Sequence, residues 1–173
     1  MKTVQISHVE TPIGELRLAS TEKGLGYVEL PRESGCGLRG WLHRHFPDAD
    51  CVESGERNRA AIAQILEYLD GERTEFDLRL DLRGTKFQHQ VWEALLDIPF
   101  GERRSYRDIA VAVGRPTAVR AVGTANGSNP VALVVPCHRV INSDGKLGGY
   151  GGGVALKARL LAMESRPGED RLL

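Results

Sequence analysis

A cysteine with unusual neighbours offers the clearest chemistry in this sequence. Cys137 lies between Pro136 and His138, after the apolar run VALVV and shortly before the glycine-rich stretch GGYGGG. A free thiol has a pKa of about 8.5 and the thiolate is the nucleophile, so a reactive cysteine needs a neighbour that takes its proton. His138 is the candidate base, and Glu164 on the last predicted helix is the candidate carboxylate that orients it.

Adjacency in the sequence does not by itself place His138 against the sulfur of Cys137. Consecutive side chains of an extended strand point to opposite faces, so a contact between the two requires a turn or a bridging water. A bare cysteine is commonly a small buried hydrophobe. The neighbouring proline, histidine and glycines favour a reactive thiol here, whereas Cys36 and Cys51 lack such neighbours and are expected to be structural.

The composition is that of a globular protein with reduced thiols. Of the 173 residues, 41% are hydrophobic and 27% are charged, which excludes a disordered chain. No apolar stretch approaches the ~18 residues of a membrane span, and the N-terminus lacks the apolar core of a secretory signal. Three cysteines, an odd number in a chain of this size, indicate free thiols and a cytoplasmic location.

Charge is distributed unevenly along the chain, although the formal net charge is zero. Residues 1–100 carry 12 Lys and Arg against 17 Asp and Glu, and residues 101–173 carry 11 against 6. A protein coated in basic residues is therefore excluded, but a basic C-terminal part could face a polyanion such as nucleic acid. Chance sorting of the charges is the alternative.

The pattern predicts an α+β protein with two lobes, residues 1–83 and 84–173. In the first lobe, β-branched and alternating apolar residues separated by turn signals predict strands in KTVQISHVET, GELRLAS and GLGYVEL. Helical spacing of apolar residues follows in RNRAAIAQILEYLDG and stops at Gly71. The segment TEFDLRLDLRG is predicted to be a strand or an extended connector near the boundary between the lobes.

The second lobe is predicted to be mainly helical. Its first helix runs from the N-cap Thr85 to Pro99. The apolar face of that helix consists of Phe87, Val91, Trp92, Leu95 and Leu96. A last helix is predicted in VALKARLLAME, and Glu164 is its final residue.

Two short helices between these form a helix-turn-helix pattern. Ser105 and Asp108 cap the first, which ends at Gly114, and Pro116 is predicted in the first turn of the second, after a gap of about three residues. Arg120 lies near the start of the second helix, where a recognition helix touches a groove. Nearby arginines that could contact phosphates are Arg103, Arg104, Arg107 and Arg115. A solvated basic face is the alternative.

Three segments together resemble one protein family. PCHRV at 136–140, preceded by RAVGTANGSNP at 120–130 and followed by GGYGGG, is similar to the signature of the O6-alkylguanine-DNA alkyltransferases, also called methylated-DNA–protein-cysteine methyltransferases. The resemblance is specific over residues 87–164 and weaker in the N-terminal lobe, through TPIGELRLAS and YLDGERTEFDLRLDLRGT. The pattern is similar to the bacterial single-function type, which lacks a separate regulatory domain.

The resemblance implies direct transfer of an alkyl group from the O6 atom of guanine in DNA to the sulfur of Cys137. His138 would take the thiol proton through a water, and Glu164 would orient the histidine. Asn129 would brace the turn before an active-site strand. The hydroxyl of Tyr106 would contact the flipped guanine and protonate the departing base.

The resemblance also implies how DNA and the lesion are held. Arg120 would fill the gap that a flipped nucleotide leaves in the duplex. Close contact with the minor groove would be made by the small residues Ala118, Ala121 and Gly123. The pocket for the base would be lined by Val140, Tyr150, Gly151 and Gly152. Relatives often have serine or alanine where this chain has Gly151, so room for larger alkyl groups is expected.

In fold and enzymology the resemblance implies a ribonuclease H-like N-terminal lobe, a C-terminal helix-turn-helix or winged-helix unit, and a single-turnover enzyme. A thioether has no easy reverse reaction, so one molecule would repair one lesion. The DNA supplies the alkyl group, so no cofactor is expected. O4-alkylthymine is expected to be a lesser substrate. A monomer in the cytoplasm is expected, and cooperative assembly along DNA is left open.

Two other functions compete with alkyl transfer. A cysteine hydrolase could use Cys137, His138 and Asn129, but no oxyanion-hole element is evident and the basic helix pair would be unexplained. A non-catalytic protein that binds alkylated DNA is the second alternative. Relatives that bind alkylated DNA without repairing it lack the cysteine that this chain retains.

Two smaller predictions concern a zinc site and the C-terminal tail. Residues that could supply zinc ligands are Cys36, His43, His45 and Cys51. Their spacing, C-x6-H-x-H-x5-C, is not a standard zinc pattern, so no metal is expected. The tail SRPGEDRLL is polar, contains proline and glycine, and is expected to be mobile.

Overall fold

The computed structural model describes residues 2–165 and has the predicted α+β architecture. The chain divides into two compact units, residues 1–83 with 130–132 and residues 84–129 with 133–173. Except for Ser165, the tail that was expected to be mobile lies outside the described residues. Within the described residues, no helix is long and apolar enough to cross a membrane.

The first unit contains a four-stranded mixed sheet. Its strands are β1 (Thr3–Thr11), β2 (Gly14–Thr21), β3 (Gly24–Glu29) and β4 (Asp50–Glu53). Their order is β3-β2-β1-β4, with β2 antiparallel to both neighbours and β4 parallel to β1. The first three confirm the strands predicted from the alternating pattern. β4 gives no such signal, because all four of its residues are exposed.

Two helices complete the first unit, α1 (Gly37–His45) and α2 (Arg59–Leu69). A core cluster of buried residues consists of Val4, Ala19, Leu38, Trp41 and Phe46. α2 buries Ala61, Ile65 and Leu69, as its spacing predicts. The chain turns at Gly71, whose φ of 80° lies in the left-handed region that glycine adopts without strain. Residues 76–79 have no regular secondary structure, and they lead to an isolated bridge from Leu80 to Leu25.

The second unit begins with α3 (Lys86–Leu96), and its N-terminus confirms the predicted cap. The Thr85 hydroxyl accepts a hydrogen bond from the backbone N–H of Gln88 at 3.2 Å. The Gln88 side chain in turn accepts from the backbone N–H of Thr85 at 2.8 Å. This reciprocal capping box satisfies two donors that the first helical turn leaves open.

The inner face of α3 packs against α5 (Val119–Gly127). Val91, Trp92 and Leu95 are buried, and the indole N–H of Trp92 donates to the carbonyl of Ala125 in α5 at 2.9 Å. Leu96, predicted on the same face, is 45% exposed. As the last residue of α3, it lies beyond the turn that Trp92 anchors.

Both ends of α4 (Tyr106–Ala112) are closed by the residues that the sequence singles out. The Ser105 hydroxyl accepts from the Asp108 N–H at 3.0 Å, and the Asp108 carboxylate accepts from the Ser105 N–H at 2.8 Å. After the helix, Gly114 adopts a φ of 76°, and the N–H groups of Gly114 and Arg115 donate to carbonyls of the last turn. This is a Schellman motif, which favours glycine at that position.

We expect the Ser105→Ala variant to lose about 1 kcal/mol of unfolding free energy, because the first turn of α4 loses its side-chain acceptor. Urea denaturation followed by circular dichroism measures the change. The matched control is Ser143→Ala, since Ser143 is exposed. An equal loss in the control would contradict the capping role of Ser105.

The link between α4 and α5 differs from the prediction. Six residues, 113–118, separate the helices, and Pro116 precedes α5 instead of opening it. The N–H of Ala118 donates to the carbonyl of Arg115 at 2.9 Å, so Pro116 occupies the second position of a turn, where its fixed φ is favourable. Arg120 is the second residue of α5. The helix pair is present, and its role in DNA binding stays a prediction.

A short ladder and a last helix complete the second unit. β5 (Arg104–Ser105) pairs in parallel with β6 (Val140–Ile141) and thereby ties the start of α4 to the chain that follows Cys137. α6 (Val154–Glu164) begins after Gly153, whose φ is 96°. The buried residues of α6 are Lys157, Leu160, Leu161 and Glu164. They follow the spacing i, i+3, i+4, i+7 of one helical face.

Candidate active site

Cys137 lies in a turn, and the strand that the resemblance implies, β6, begins only at Val140. Cys137–Arg139 form a 3₁₀ turn, and most of the apolar run before it also forms turns, with a φ of 74° at Leu133. The Cys137 N–H donates to the carbonyl of Val135 at 2.8 Å, and Nδ2 of Asn129 donates to the same carbonyl at 2.7 Å. These local bonds satisfy the backbone without a ladder, and Asn129 braces the turn itself.

The turn brings the candidate base and its carboxylate together inside the protein. Cys137 is 6% exposed and His138 is fully buried. Nε2 of His138 lies 2.8 Å from Oε2 of Glu164, the last residue of α6. The contact that the sequence predicts between these two side chains is therefore present.

Arg139 is a member of this cluster that sequence analysis misses. Its Nε donates to Oε1 of Glu164 at 2.6 Å and to Oε2 at 3.2 Å. Its Nη1 donates to the carbonyl of Ile98 at 2.7 Å, and the guanidinium lies 5.8 Å from the ring centre of Phe100. The buried carboxylate thus contacts both an imidazole and a guanidinium.

Charge within the cluster settles which nitrogen of His138 carries the proton. Burial raises the pKa of Glu164, but the hydrogen bonds and charges of His138 and Arg139 outweigh it and lower that pKa to about 2. Glu164 is therefore an anion and only accepts hydrogen bonds. Burial lowers the pKa of His138, and the bond to Glu164 offsets part of that effect. Neutral His138 consequently has its proton on Nε2 and its lone pair on Nδ1.

Lys157 is a second charged member of the site that sequence analysis misses. It is fully buried, and its Nζ donates to the carbonyls of Val140 at 2.6 Å, Leu147, and Gly149 at 3.2 Å. Burial lowers the pKa of Lys157 to about 8, against the opposing effect of Cys137. The side chain ties the residue that follows the cysteine turn to the glycine-rich loop.

Replacing Lys157 by methionine should lower the free energy of unfolding by roughly 1–3 kcal/mol, because buried carbonyls lose their donor. Amide hydrogen exchange should also become faster in residues 147–149. Chemical denaturation and exchange mass spectrometry measure the two effects. Lys146→Met is the matched control, since Lys146 is exposed in the same loop. Unchanged exchange in the Lys157 variant would contradict the role as a tie.

Two tyrosines lie near these groups, Tyr106, predicted to be the proton donor, and Tyr150, predicted to line the pocket. The ring centre of Tyr106 is 5.8 Å from Nζ of Lys157. Burial raises the pKa of Tyr106, and the charge of Cys137 adds to the effect. The ring of Tyr150 meets the imidazole of His138 edge-on, with 6.5 Å between centroids. Both tyrosines are thus brought to the neighbourhood of the cysteine turn.

The backbone of the glycine-rich loop approaches Tyr106 closely at one point. Gly148 has a φ of 73°, and a Cβ there would lie 3.3 Å from the Tyr106 hydroxyl and 3.1 Å from Oδ1 of Asn142. A side chain at this position would therefore press on the hydroxyl. Gly151 and Gly152, which the sequence assigns to the pocket, are half-buried in the turn before α6.

The backbone of Val140 is less available to a bound base than the resemblance implies. Val140 is fully buried, its N–H donates to the carbonyl of Cys137, and its own carbonyl accepts from Lys157. A carbonyl oxygen has two lone pairs. The contact of the Val140 backbone with a guanine edge stays a prediction.

The residues predicted to contact DNA lie in two places, at the N-terminal end of α5 and just before α4. Arg120 and Ala121 are exposed, and the half-buried members of the set are Ala118, Gly123, Arg103 and Arg104. Nη1 of Arg104 lies 3.4 Å from Oε1 of Glu102. α5 also reaches the cysteine turn, because Nδ2 of its residue Asn126 donates to the Cys137 carbonyl at 3.4 Å. Sequence analysis gives no signal for this contact.

The residues weighed as zinc ligands do not assemble a site. Within residues 2–165, no group of three or more His, Cys, Asp and Glu is arranged to hold a metal ion. Cys36 is exposed at the start of α1, and Cys51 is exposed on β4. Both thiols are free.

Comparison with known proteins gives relatives over most of the chain. The family model "6-O-methylguanine DNA methyltransferase, DNA binding domain" matches residues 86–166. A methylated-DNA–protein-cysteine methyltransferase of Mycobacterium bovis is 61% identical over 156 residues, which cover 90% of this chain and 89% of the relative. One from Methanosarcina barkeri is 46% identical over 156 residues, covering 90% and 94%.

A solved structure agrees with these relatives. The crystal structure of Mycobacterium tuberculosis OGT in complex with DNA superposes with a TM-score of 0.82, at 44% sequence identity, over 92% of both chains. Sequence and fold therefore agree over both units of the chain. On this evidence the chain belongs to the methylated-DNA–protein-cysteine methyltransferase family.

Proposed function

We propose that the chain repairs DNA by moving an alkyl group from the O6 atom of guanine to Sγ of Cys137. The observation that carries the proposal is the buried cluster in the cysteine turn, in which neutral His138 is bonded through Nε2 to ionised Glu164. Family membership supplies the substrate class, since the relatives are methylated-DNA–protein-cysteine methyltransferases. The reaction is a direct reversal that leaves the guanine in place.

Transfer is a displacement at the alkyl carbon. A C–S bond forms at Cys137 while the C–O6 bond breaks, and its electron pair goes to the guanine oxygen. The thiol proton passes through a water to Nδ1 of His138, and Glu164 stabilises the imidazolium. The Tyr106 hydroxyl is protonated at neutral pH, since burial raises its pKa further above the ordinary value of about 10, and it can donate to the departing guanine. Solvent then returns a proton to Tyr106 and takes one from His138.

The lesion must leave the duplex before the sulfur can reach it. The alkyl carbon of a stacked guanine is closed to in-line attack, so the nucleotide rotates out of the helix at a cost of a few kcal/mol. We assign Arg120, exposed on α5, to the gap that the nucleotide leaves. The small residues Ala118, Ala121 and Gly123 let the same helix approach the minor groove. Arg103 and Arg104 contact phosphates.

Removal of the Arg120 side chain should slow transfer from O6-methylguanine in duplex DNA by roughly tenfold or more. Without it, no side chain acts as the wedge that fills the gap left by the flipped nucleotide. Reaction with free O6-benzylguanine, which needs no flipping, should stay within about twofold. Quenched-flow kinetics of Arg120→Ala on both substrates measures the ratio. The control is Arg39→Ala, which removes an exposed charge from α1 of the first unit. Equal slowing on both substrates would argue against the wedge.

The proposal also fixes the setting of the reaction. Residues 84–173 bind DNA and perform the transfer, and residues 1–83 form a supporting lobe. O4-alkylthymine is a lesser substrate, no cofactor takes part, and the protein acts as a cytoplasmic monomer on duplex DNA. The complex of Mycobacterium tuberculosis OGT with DNA supports the choice of partner.

Mass spectrometry after mixing the protein with a duplex that bears one O6-methylguanine tests the proposed function. We expect a gain of about 14 Da on the peptide that contains Cys137, saturating at one equivalent, because the thioether is not turned over. An unchanged mass with tight lesion binding would instead identify a non-catalytic binder. An unchanged mass without binding would favour a cysteine hydrolase.

A further inference from the structure

A basic cavity in the first unit has no part in the proposed transfer. Its volume is about 450 Å³. It forms where the start of β1, the turn between β2 and β3, and the end of the extended connector meet. Its basic residues are Lys2, Lys23, Arg57 and Arg83, and Glu22 is the acidic residue among those that line it.

This concentration of positive charge runs against the composition of its own unit. Residues 1–83 contain 11 Lys and Arg against 15 Asp and Glu, so an average surface patch there is acidic. Arg83 is paired with Asp81, and the other three cations of the cavity repel one another unless an anion lies between them. The arrangement therefore favours an anionic occupant.

The two lysines of the cavity are not held in ion pairs in the described part of the chain, although the charge of Lys23 acts on the Asp81 carboxylate. Among the ion pairs formed within residues 2–165, none involves Lys2 or Lys23. Lys2 and Lys23 are both exposed and lie at the edge of the cavity. Their ammonium groups can turn toward a ligand without breaking an existing bond.

The two arginines of the cavity are held in place by the protein. Nε and Nη2 of Arg83 each donate to the Asp81 carboxylate at 3.1 Å, and its guanidinium stacks 4.6 Å from the ring centre of Phe46. Nη1 of Arg57 donates to the carbonyl of Thr3 at 3.1 Å. Guanidinium groups fixed in this way lose little entropy when they bind an oxyanion.

We propose that this cavity binds a chain of phosphate groups, from a nucleic-acid backbone or from a free polyphosphate. A single carboxylate would neutralise one of the three cations that are not in an ion pair, whereas linked phosphates can meet several at once. Planar guanidinium groups and compact ammonium groups are the two side-chain types that bind phosphate oxygens. The hydroxyl of Thr21 beside them donates to Asp81 at 2.6 Å and fixes the carboxylate that holds Arg83.

Isothermal titration calorimetry of the full chain with inorganic tripolyphosphate tests the site. We expect saturable binding, weakened about tenfold or more in the variant Lys2→Gln/Lys23→Gln, because two charge-assisted contacts are lost. These lysines hold no other residue, so the fold should stay intact. Arg57→Gln should weaken binding as well. The control Arg32→Gln/Arg39→Gln removes the same charge from exposed residues of the unit that do not line the cavity.

The salt dependence of binding to a short unmodified duplex separates the two sources of phosphate. If the backbone of DNA occupies the cavity, the lysine variant should lower the slope of log K against log salt by about two. An unchanged slope, with weakened tripolyphosphate binding, would identify a free polyphosphate as the ligand. Equal tripolyphosphate affinity in the lysine variant and the control, or no saturable binding by the wild type, would overturn the proposal. Reaction of Cys137 with free O6-benzylguanine, which needs no contact with DNA, should be unaffected in all of these variants.

Discussion

Serine in place of Cys137 should abolish alkyl transfer while lesion binding persists. A hydroxyl is far less acidic than a thiol, so a neutral imidazole such as His138 cannot make it a comparable nucleophile. Serine is nearly isosteric, and the bonds that hold the turn come from the Cys137 N–H and from Asn129. We expect no detectable mass gain, and a dissociation constant for the lesion duplex within about threefold of the wild-type value.

The other two cysteines provide matched controls for this result. Cys36 and Cys51 are exposed free thiols, so serine at either position should leave the amount and rate of transfer unchanged. Fluorescence anisotropy measures binding, and peptide mass spectrometry locates the methyl group. If transfer survives in Cys137→Ser or disappears in Cys36→Ser, the sulfur of Cys137 is not the one that accepts the alkyl group.

The second large effect is expected from Glu164→Gln. Its amide holds no charge, so Arg139 becomes a buried cation without its anion, which costs about 3–5 kcal/mol of unfolding free energy. The transfer rate should fall by about 10²- to 10⁴-fold, because the imidazolium that forms on His138 loses its stabilising carboxylate. Glu93→Gln on the exposed side of α3 is the control and should change neither quantity.

The pH profile distinguishes this positioning role from a merely structural one. Burial lowers the pKa of His138 from its ordinary value, and only neutral His138 accepts a proton, so the wild-type rate should fall only at a pH lower than that at which a free imidazole becomes protonated. Glu164 raises the pKa of His138, so its loss should move this fall to still lower pH. A variant with a slower rate but an unshifted profile would mean that Glu164 acts only through the fold.

The sequence predicts those parts of the fold and site that depend on local pattern. The strands β1 to β3 are predicted by the alternation of apolar and polar residues. The N-termini of α3 and α4 are predicted by Thr85 and Ser105, whose side chains can reach the backbone N–H three residues further along the chain. The contact of His138 with Glu164 follows from chemical need, since a buried base requires an orienting anion. Each of these inferences uses neighbouring residues or one known requirement.

What the sequence does not predict depends on contacts between distant segments. Arg139 contacts Glu164 and Ile98, both more than 20 residues away, and no feature of the neighbouring residues predicts these contacts. The residues VALVV are typical of a strand, but most of them form turns. The side chain of Asn129 donates to the carbonyl of Val135 there and stabilises the turn. Lys157 has a signal that can be read in hindsight, since it shares the i, i+3, i+4, i+7 spacing of the buried face of α6 with Glu164.

That shared face restricts how the length of this chain can change. Lys157 and Glu164 are seven residues apart, two turns of α6, and each holds a different part of the site. Inserting one residue between them would rotate Glu164 by about 100° around the helix axis and withdraw its carboxylate from His138. Natural insertions and deletions should therefore be absent between positions 157 and 164, and tags or fusion partners should be attached beyond the end of α6.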